Sequence, residues 1–325
     1  MKLGSTVAEM VNDIRTLAFT EARESVAHYT KLLVANIIVN KPADSSKLRY
    51  YNVAYMNDPE EGKVLLQILA DLGGKDFEKI TDCFDAGKIR EDNNVYLGSF
   101  VPVSHQDELV MWRTYGKENN VEASGCSIVI APDFFDGENS PLQRDFGNTD
   151  GKATAVASAD VREKEALYSV VYYNKKKVSE GNGIIGDKAN EIQEGLKKLI
   201  GALHDLVALK EGKDLDGNLA SAVNRVVFRT LSEIRYLFKS ADYSYENELR
   251  VIQYVNGESD RVQIDETGGL PHRLYIESGQ PLKPSLQKII LGPKVANPDQ
   301  WLYLEVKMKK EKFKLELEKS NVQFQ

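Results

Sequence analysis

The stretch YENELRVIQYV, residues 245–255, has the aromatic and β-branched content of a strand and carries two glutamates two positions apart. Side chains two apart in a strand point to the same face, so Glu246 and Glu248 would lie together, with Leu249 on the opposite, buried face. Neighbouring carboxylates are costly unless they are hydrogen-bonded or used in chemistry, and Arg250 can hold one of them through two hydrogen bonds. The stretch predicts either a catalytic strand or an exposed acidic strand face.

Around this stretch the sequence alternates between helical and strand-like segments. Apolar residues at helical spacing predict an N-terminal helix within residues 1–25 and a helical pair that forms an insertion at residues 188–240. Shorter helices are predicted at 60–72 and at 107–116, where Asp107 would cap the helix, and residues 31–39 fit either a strand or a buried helix. The predicted strands are residues 48–53, 96–103, 125–131, 166–173, 245–255, 261–264, 272–276 and 288–291, followed by a hairpin-like end at 301–308 and 312–318. We therefore predict one α+β domain, residues 1–325, with a mixed or antiparallel, β-rich sheet.

Composition narrows the class of protein. The 325 residues include 42 Lys plus Arg against 49 Asp plus Glu, a formal net charge of −7, which disfavours a protein that coats nucleic acid through a basic surface. The many acidic residues give three Glu-x-Glu pairs, so that spacing alone does not indicate chemistry. Cys83 and Cys126 lack metal-ligand spacing and are typical of a reducing compartment. Glu9 and Asp13 interrupt any apolar leader, so we expect a cytoplasmic protein, or one delivered into a target cell without a cleavable signal, and no membrane partner.

Familiar cofactor and metal motifs do not fit their required settings. GNGIIG at 181–186 matches a dinucleotide fingerprint, but the preceding predicted strand ends near residue 173 and the polar run KKKVSE intervenes. DLDGN at 214–218 lacks the glycine and glutamate positions of a calcium loop. The four histidines are scattered, so no metal site is predicted.

Several blocks, in order along the chain, resemble a large bacterial family of domains of unknown function. They are HYT at 28–30, LRYYNVAYMNDPEEG at 48–62, DELVMWRTYG at 107–116, YENELRVI at 245–252 and KIILGPK at 288–294. Members of that family share an aromatic-His block, an NDPxE turn, a DxLxxWxxY helix followed by a strand, and a YExExR strand. The likeness spans roughly residues 26–325.

A more distant resemblance is to ADP-ribosyltransferases of the His-Tyr-Glu type. It is carried by the His-Tyr of residues 28–29, the aromatic strand 48–53 and a glutamate on a late strand, and Glu-x-Glu at 246–248 is similar to the active-site strand of arginine-directed members. The resemblance implies a split sheet and NAD as substrate. The Ser-Thr-Ser triplet of the family is represented only by Ser99-Phe100, so arginine specificity is not carried over, and the acceptor remains a protein side chain, a nucleic-acid base or a small molecule.

The same resemblance implies roles for individual residues. The nicotinamide–ribose bond breaks through an oxocarbenium-like transition state, which a carboxylate near the ribose hydroxyls stabilises, and Glu248 would take this role. Glu246 would orient or deprotonate the acceptor. His28 would bind the adenosine ribose, and one of Tyr50 and Tyr51, which face opposite sides in a strand, would stack on nicotinamide. The other predicted cofactor-binding residues are Tyr29, Asn57 and Asp58.

Three functions are compatible with these features. The first is an NAD-consuming, ADP-ribosyltransferase-like enzyme that modifies a protein or nucleic-acid acceptor, as a bacterial toxin, effector or defence protein. The second is a non-enzymatic nucleotide-binding or partner-binding module in bacterial conflict or stress response. The third, a metal-dependent nuclease using Asp58, Glu60 and Glu248, has no compact motif in its favour.

Overall fold

A computed structural model describes residues 2–56, 58, 60, 62–74, 77–87, 94–135, 165–180, 183–211, 217–255, 257–267 and 271–324. It combines 49% helix with 23% strand in a mixed multi-stranded sheet, which confirms the predicted α+β class. The α-helices are α1 (Lys2–Ala18), α2 (Leu32–Asn40), α3 (Val64–Gly73), α4 (Phe77–Gly87), α5 (Leu109–Thr114), α6 (Ala189–Ala208), α7 (Gly217–Ser232) and α8 (Tyr303–Lys310). The strands are β1 (Val26–Thr30), β2 (Arg49–Asn52), β3 (Val95–Pro102), β4 (Cys126–Ile130), β5 (Leu167–Ser169), β6 (Val171–Tyr173), β7 (Ile184–Ile185), β8 (Phe238–Ser240), β9 (Leu249–Tyr254), β10 (Gln263–Asp265), β11 (Arg273–Glu277), β12 (Leu286–Leu291) and β13 (Glu316–Lys319).

The chain forms two compact units, each assembled from separate stretches. The first, which we call the helical unit, comprises Met1–Thr20, Asn52–Val95 and Tyr168–Tyr245. The second, the sheet unit, comprises Glu21–Tyr51, Tyr96–Leu167 and Glu246–Gln325. A single domain with inserted helices stays a prediction.

The helical unit contains the predicted N-terminal helix and the predicted helical pair. In α1 the residues Val7, Val11, Ile14 and Ala18 are buried, at the spacing of one helical stripe, and the helix ends at Ala18 rather than near residue 25. The helices α6 and α7 correspond to the two predicted long helices, the second ending at Ser232. A small sheet in the order β7-β6-β8 completes this unit.

The sheet unit is built on strands in the order β10-β11-β2-β3-β1-β4-β12-β13, with β9 also pairing with β3. The strand β1 is antiparallel to both β3 and β4, and β12 is antiparallel to β4 but parallel to β13. One face of the sheet packs against α2 and α8, in a core that includes Tyr50, Phe100, Ile128, Val251 and Leu304. The other face packs against α5 through a smaller cluster, whose members include Ala27, Tyr29, Val101, Met111, Trp112 and Val129.

The structure decides one segment that the sequence left open and corrects two predicted segments. Residues 31–39, open between strand and helix, form α2, which buries Leu32, Ala35, Ile38 and Val39. The predicted strand 166–173 is divided into β5 and β6, which belong to different sheets. The predicted C-terminal hairpin is wrong, because 303–310 is the helix α8 and only β13 is a strand. Leu304 and Met308 are fully buried four residues apart, so this segment buries a helical stripe rather than alternate residues.

Candidate functional site

The Glu-x-Glu pair does not lie within a strand, contrary to the sequence prediction. Glu246 is the last residue of a 3-10 helix, Ala241–Glu246, and β9 begins only at Leu249. Between them Asn247 adopts a left-handed conformation with φ of 43°. Asparagine tolerates this conformation better than most residues, so it can turn the chain sharply here. The two glutamates are therefore not placed together by strand alternation.

Glu248 forms a bidentate ion pair with Arg250, as the sequence predicted. Arg250 Nε donates to Glu248 Oε1 at 2.8 Å and Arg250 Nη2 donates to Glu248 Oε2 at 2.9 Å. The Arg250 side chain is only 2% exposed and the Glu248 side chain 5%. Two parallel charge-assisted hydrogen bonds fix the plane of the carboxylate. Both faces of β9 are buried, because Arg250 is buried on one face and Leu249 and Val251 pack in the main core on the other.

Glu246 is held by a tyrosine from a distant part of the sequence. The hydroxyl of Tyr115, directly after α5, donates to Glu246 Oε1 at 2.7 Å. Glu246 is 2% exposed, whereas Tyr115 is 37% exposed. The carboxylate is thus covered while its partner reaches the surface.

A histidine and a glutamate before α5 form a second polar arrangement next to these glutamates. His105 Nδ1 lies 2.6 Å from Glu108 Oε1, and His105 Nε2 lies 3.3 Å from the side-chain nitrogen of Asn247. Both His105 and Glu108 are partly exposed. We call His105, Glu108 and Asn247 the histidine cluster.

Tyr29 fixes the backbone of this cluster. Its hydroxyl donates to the carbonyl of His105 at 2.8 Å and accepts from the amide of Glu108 at 2.9 Å. Its ring contacts Trp112 edge-on, with 4.8 Å between ring centroids. Burial raises the pKa of Tyr29 well above its usual value, against the opposing hydrogen bond from Glu108, so the hydroxyl remains protonated.

His28, the neighbour of Tyr29 on β1, points to the opposite face of the sheet. Its Nδ1 lies 2.8 Å from the carbonyl of Ser99 on β3, and its ring centroid is 5.7 Å from that of Phe100. Burial lowers the pKa of His28 below 6.5, and the hydrogen bond to Ser99 opposes this shift. At neutral pH the ring is therefore uncharged and donates from Nδ1.

Tyr50 and Tyr51 face opposite sides, as predicted for strand β2. Tyr50 is 1% exposed and its hydroxyl donates to Glu165 Oε2 at 2.5 Å. Glu165 Oε1 in turn accepts from the amide of Gly279 at 2.8 Å. A Cβ atom added at Gly98 would lie 2.5 Å from the Tyr50 ring, so a glycine at this position of β3 leaves room for the ring. Tyr50 is consequently a core residue.

Tyr51 belongs to a polar aromatic cluster at the other face. Its hydroxyl donates to Asp265 Oδ2 at 2.7 Å, and Tyr51 pairs directly with Tyr275 of β11. The guanidinium of Arg49 lies 4.2 Å from the Tyr275 ring centroid and 3.5 Å from Asp265. Burial and the hydrogen bond to Asp265 raise the pKa of Tyr51. Of the two tyrosines, this one is partly open to solvent.

The other predicted cofactor-binding residues are Asn57 and Asp58. Asp58, in the helical unit, accepts from the amide of Glu60 at 2.9 Å, which is the Asx turn expected of an NDP sequence. Asn57 lies outside the described residues.

Asp107, predicted to cap α5, instead accepts from the indole of Trp112 at 2.7 Å and from the amide of Asn321 at 2.8 Å.

Several predicted residues lie on, or next to, strands that pair with β3. The strands that carry His28 and Tyr51, and the one that begins after Glu248, all pair with β3. Alternation within each strand then sorts their side chains. His28 and Tyr50 face α2 and α8, whereas Tyr29, Tyr51 and the Glu248–Arg250 pair face the other side.

Sequence reasoning missed His105, Glu108 and Tyr115. The histidine and Glu108 are three residues apart at a predicted helix start, a spacing at which side chains can meet, and that signal was available. The contacts of Tyr115 with Glu246 and of His105 with Asn247 join residues 131 and 142 positions apart, and no local pattern predicts contacts over such separations.

Known proteins do not extend this description. No protein family, curated protein or solved structure matches the chain. Within the described residues no helix is long and apolar enough to cross a membrane, and no group of three metal-ligating side chains occurs. The chain is an α+β protein whose mixed sheet carries a polar, carboxylate-rich cluster beside α5.

Proposed function

We propose that the protein is an NAD-consuming, ADP-ribosyltransferase-like enzyme that transfers ADP-ribose to a protein or nucleic-acid acceptor. The observation that supports this most is that the strand carrying Tyr51 and the strand following Glu248 both pair with β3, with the two side chains on the same face of the sheet. Such an arrangement can present an aromatic side chain and a carboxylate to parts of one extended ligand. The role as a bacterial toxin, effector or defence protein follows only from the resemblance described above.

The proposed chemistry needs a fixed negative charge close to the ribose. As the nicotinamide bond breaks, positive charge develops on C1′ and the ring oxygen, and hydrogen bonds from the ribose hydroxyls to a carboxylate strengthen. Glu248 meets this requirement because Arg250 holds it in a single orientation. Tyr51, rather than the buried Tyr50, is the tyrosine suited to stack on nicotinamide. His28 lies on the opposite face of the sheet, against Phe100, so it makes no contact with this NAD molecule in the proposal.

The direct test is to incubate the purified protein with NAD and measure released nicotinamide, with the Glu248→Asp variant alongside. Aspartate keeps the charge and a hydrogen bond to Arg250 but withdraws the carboxylate by about 1.5 Å, one carbon–carbon bond. A misplacement of this size is expected to lower turnover by about 100-fold. Glu248→Gln is less suitable because it also removes the negative charge that forms the buried ion pair with Arg250.

Glu305→Asp is the matched control, since Glu305 is an exposed glutamate on α8. It should release nicotinamide at the wild-type rate. Equal turnover by the Glu248→Asp variant and the wild type would refute the assignment of Glu248.

The second candidate, a nucleotide-binding or partner-binding module without catalysis, is favoured by one observation. Glu246 and Glu248 are 2% and 5% exposed, and each is hydrogen-bonded within the protein, which is also how purely structural carboxylates are held. Thermal-shift measurements with NAD and ADP-ribose separate the two functions. A ligand at 100 times its Kd stabilises the folded state by about 2.7 kcal/mol, so stabilisation without nicotinamide release would identify a binding module.

A further inference from the structure

The histidine cluster has the geometry of an acid–base pair. The 2.6 Å contact joins His105 Nδ1 to a carboxylate oxygen of Glu108, which accepts, so Nδ1 carries the proton. Asn247 donates its side-chain N–H to Nε2 at 3.3 Å, and Nε2 therefore presents a lone pair. A carboxylate that fixes the tautomer of a histidine is the arrangement that prepares the other ring nitrogen to take up a proton.

The backbone of the histidine cluster is held by hydrogen bonds, whereas its side chains are accessible to a substrate. Tyr29, 7% exposed, binds the backbone of both His105 and Glu108 through its single hydroxyl. The side chains of His105 and Glu108 are 26% and 39% exposed. A buried anchor beneath a partly exposed acid–base pair is what preorganisation of a reactive group requires.

The position of the cluster links it to the proposed reaction. Asn247, which contacts the His105 ring, lies between Glu246 and Glu248 in the chain. Its left-handed conformation turns the chain at this point. His105 thus contacts the residue that precedes the glutamate assigned to the ribose. Its backbone is bound by Tyr29, which lies on the face of the sheet covered by α5.

We propose that His105 is the general base that deprotonates the acceptor, with Glu108 as its positioning residue; this rests on the proposed function. The acceptor nucleophile gives its proton to His105 Nε2 and its electron pair forms the new bond to C1′ of the ribose. The C1′–nitrogen bond breaks and its electron pair stays on nicotinamide, which leaves neutral. Water can act as the smallest acceptor, giving ADP-ribose.

His105 suits this task better than Glu246. The Glu246 carboxylate is 2% exposed and already accepts from Tyr115. The ring of His105 is more accessible, and displacement of the weak 3.3 Å contact with Asn247 is sufficient to free Nε2. His105 Nε2 is therefore the more accessible of the two candidate bases.

The test uses NAD with water as acceptor and measures nicotinamide release by wild type, His105→Ala and His105→Asn. Loss of a general base is expected to lower kcat by about 100-fold or more, with the KM for NAD unchanged. Added imidazole should restore part of the activity of the alanine variant, which a merely structural role would not allow. Glu108→Gln should lower kcat less than His105→Ala and leave the KM unchanged. The matched control is His272→Asn, at an exposed histidine.

The outcomes distinguish this inference from the proposed function. If the wild type releases no nicotinamide, the proposed function fails and this inference fails with it. If the wild type turns over NAD, but His105→Asn has the same kcat and the same pH–rate profile, the inference alone is overturned. A fall in kcat with rescue by imidazole supports both.

Discussion

Adjacent residues of β1 have opposite environments, and their chemistry follows from this. His28 lies on the face covered by α2 and α8 and is held neutral against the carbonyl of Ser99. Tyr29 lies on the face covered by α5 and organises the histidine cluster. The pair was predicted as a single His-Tyr motif for NAD, but strand alternation directs the two side chains to different parts of the protein.

The lowered pKa of His28 predicts that stability falls with decreasing pH. Below pH 6.5 the unfolded chain takes up a proton on this histidine before the folded protein does, so protons favour unfolding. The stability is present above pH 6.5 and is lost progressively as the pH falls toward the folded-state pKa. His28→Gln keeps a donor for Ser99 and removes the titration, so its melting temperature should change less between about pH 8 and pH 5.

His272→Gln provides the comparison for this measurement, because His272 is exposed. Its melting temperature should follow the wild-type pH dependence. A His28→Gln variant whose melting temperature falls as steeply as that of wild type would show that the acid sensitivity comes from other groups.

At the scale of elements, local sequence patterns predicted those helices and strands whose formation depends on residues close to one another in the chain. The stripe of α1, the aromatic strand β2, the helix α3 and the buried strand β4 were all expected from periodicity and composition, and they are confirmed. The Glu248–Arg250 pair was predictable for the same reason, since its partners are two residues apart.

The failures at this scale arise where tertiary contacts override a local pattern. Tyr245 to Glu248 looks like the start of a strand, but a 3-10 helix and the left-handed Asn247 delay β9 until Leu249. The aromatic and apolar residues of 301–308 alternate like a strand, yet burial of Leu304 and Met308 favours a helix. The contacts of Glu246 and of His105 depend on how distant segments fold together, which no local pattern encodes.

The ends of two helices meet at one buried lysine. Lys283 is fully buried, and its ammonium donates to the carbonyls of Val39 and Lys41 at the C-terminus of α2 and to Glu311 directly after α8. These carbonyls have no partner within the helix, and a cation at this position satisfies them. Lys283→Met should destabilise the protein by about 2–3 kcal/mol, chiefly through the two carbonyls that lose a charged donor. Urea unfolding measures the change.

The control for the lysine is Lys309→Met, an exposed position in the last turn of α8. It should alter the midpoint of unfolding only slightly, as surface substitutions usually do. Equal midpoints for Lys283→Met and wild type would contradict a stabilising role for the buried ammonium.

At the scale of the whole molecule, the chain passes repeatedly between its two units. The boundaries lie at Thr20/Glu21, Tyr51/Asn52, Val95/Tyr96, Leu167/Tyr168 and Tyr245/Glu246. Neither unit is a continuous piece of sequence, so each is joined by segments that pass through the other. When one unit unfolds, these segments become long flexible loops whose closure costs entropy, and we therefore expect the two units to unfold together.

Phe228→Ala tests this coupling. Phe228 on α7 is 2% exposed and its ring centroid lies 5.0 Å from that of Phe84 on α4, within the helical unit. The substitution should cost about 3–5 kcal/mol through lost burial and the cavity left behind. The two tryptophans of the chain, Trp112 and Trp301, both lie in the sheet unit, so their fluorescence follows that unit, whereas far-ultraviolet circular dichroism is dominated by the long helices of the helical unit. Coupled unfolding predicts that both signals shift to lower urea by the same amount, with Leu219→Ala, at an exposed position of α7, close to wild type. A shift in circular dichroism alone would instead show that the sheet unit folds independently of the helices, although its sequence is divided among three stretches.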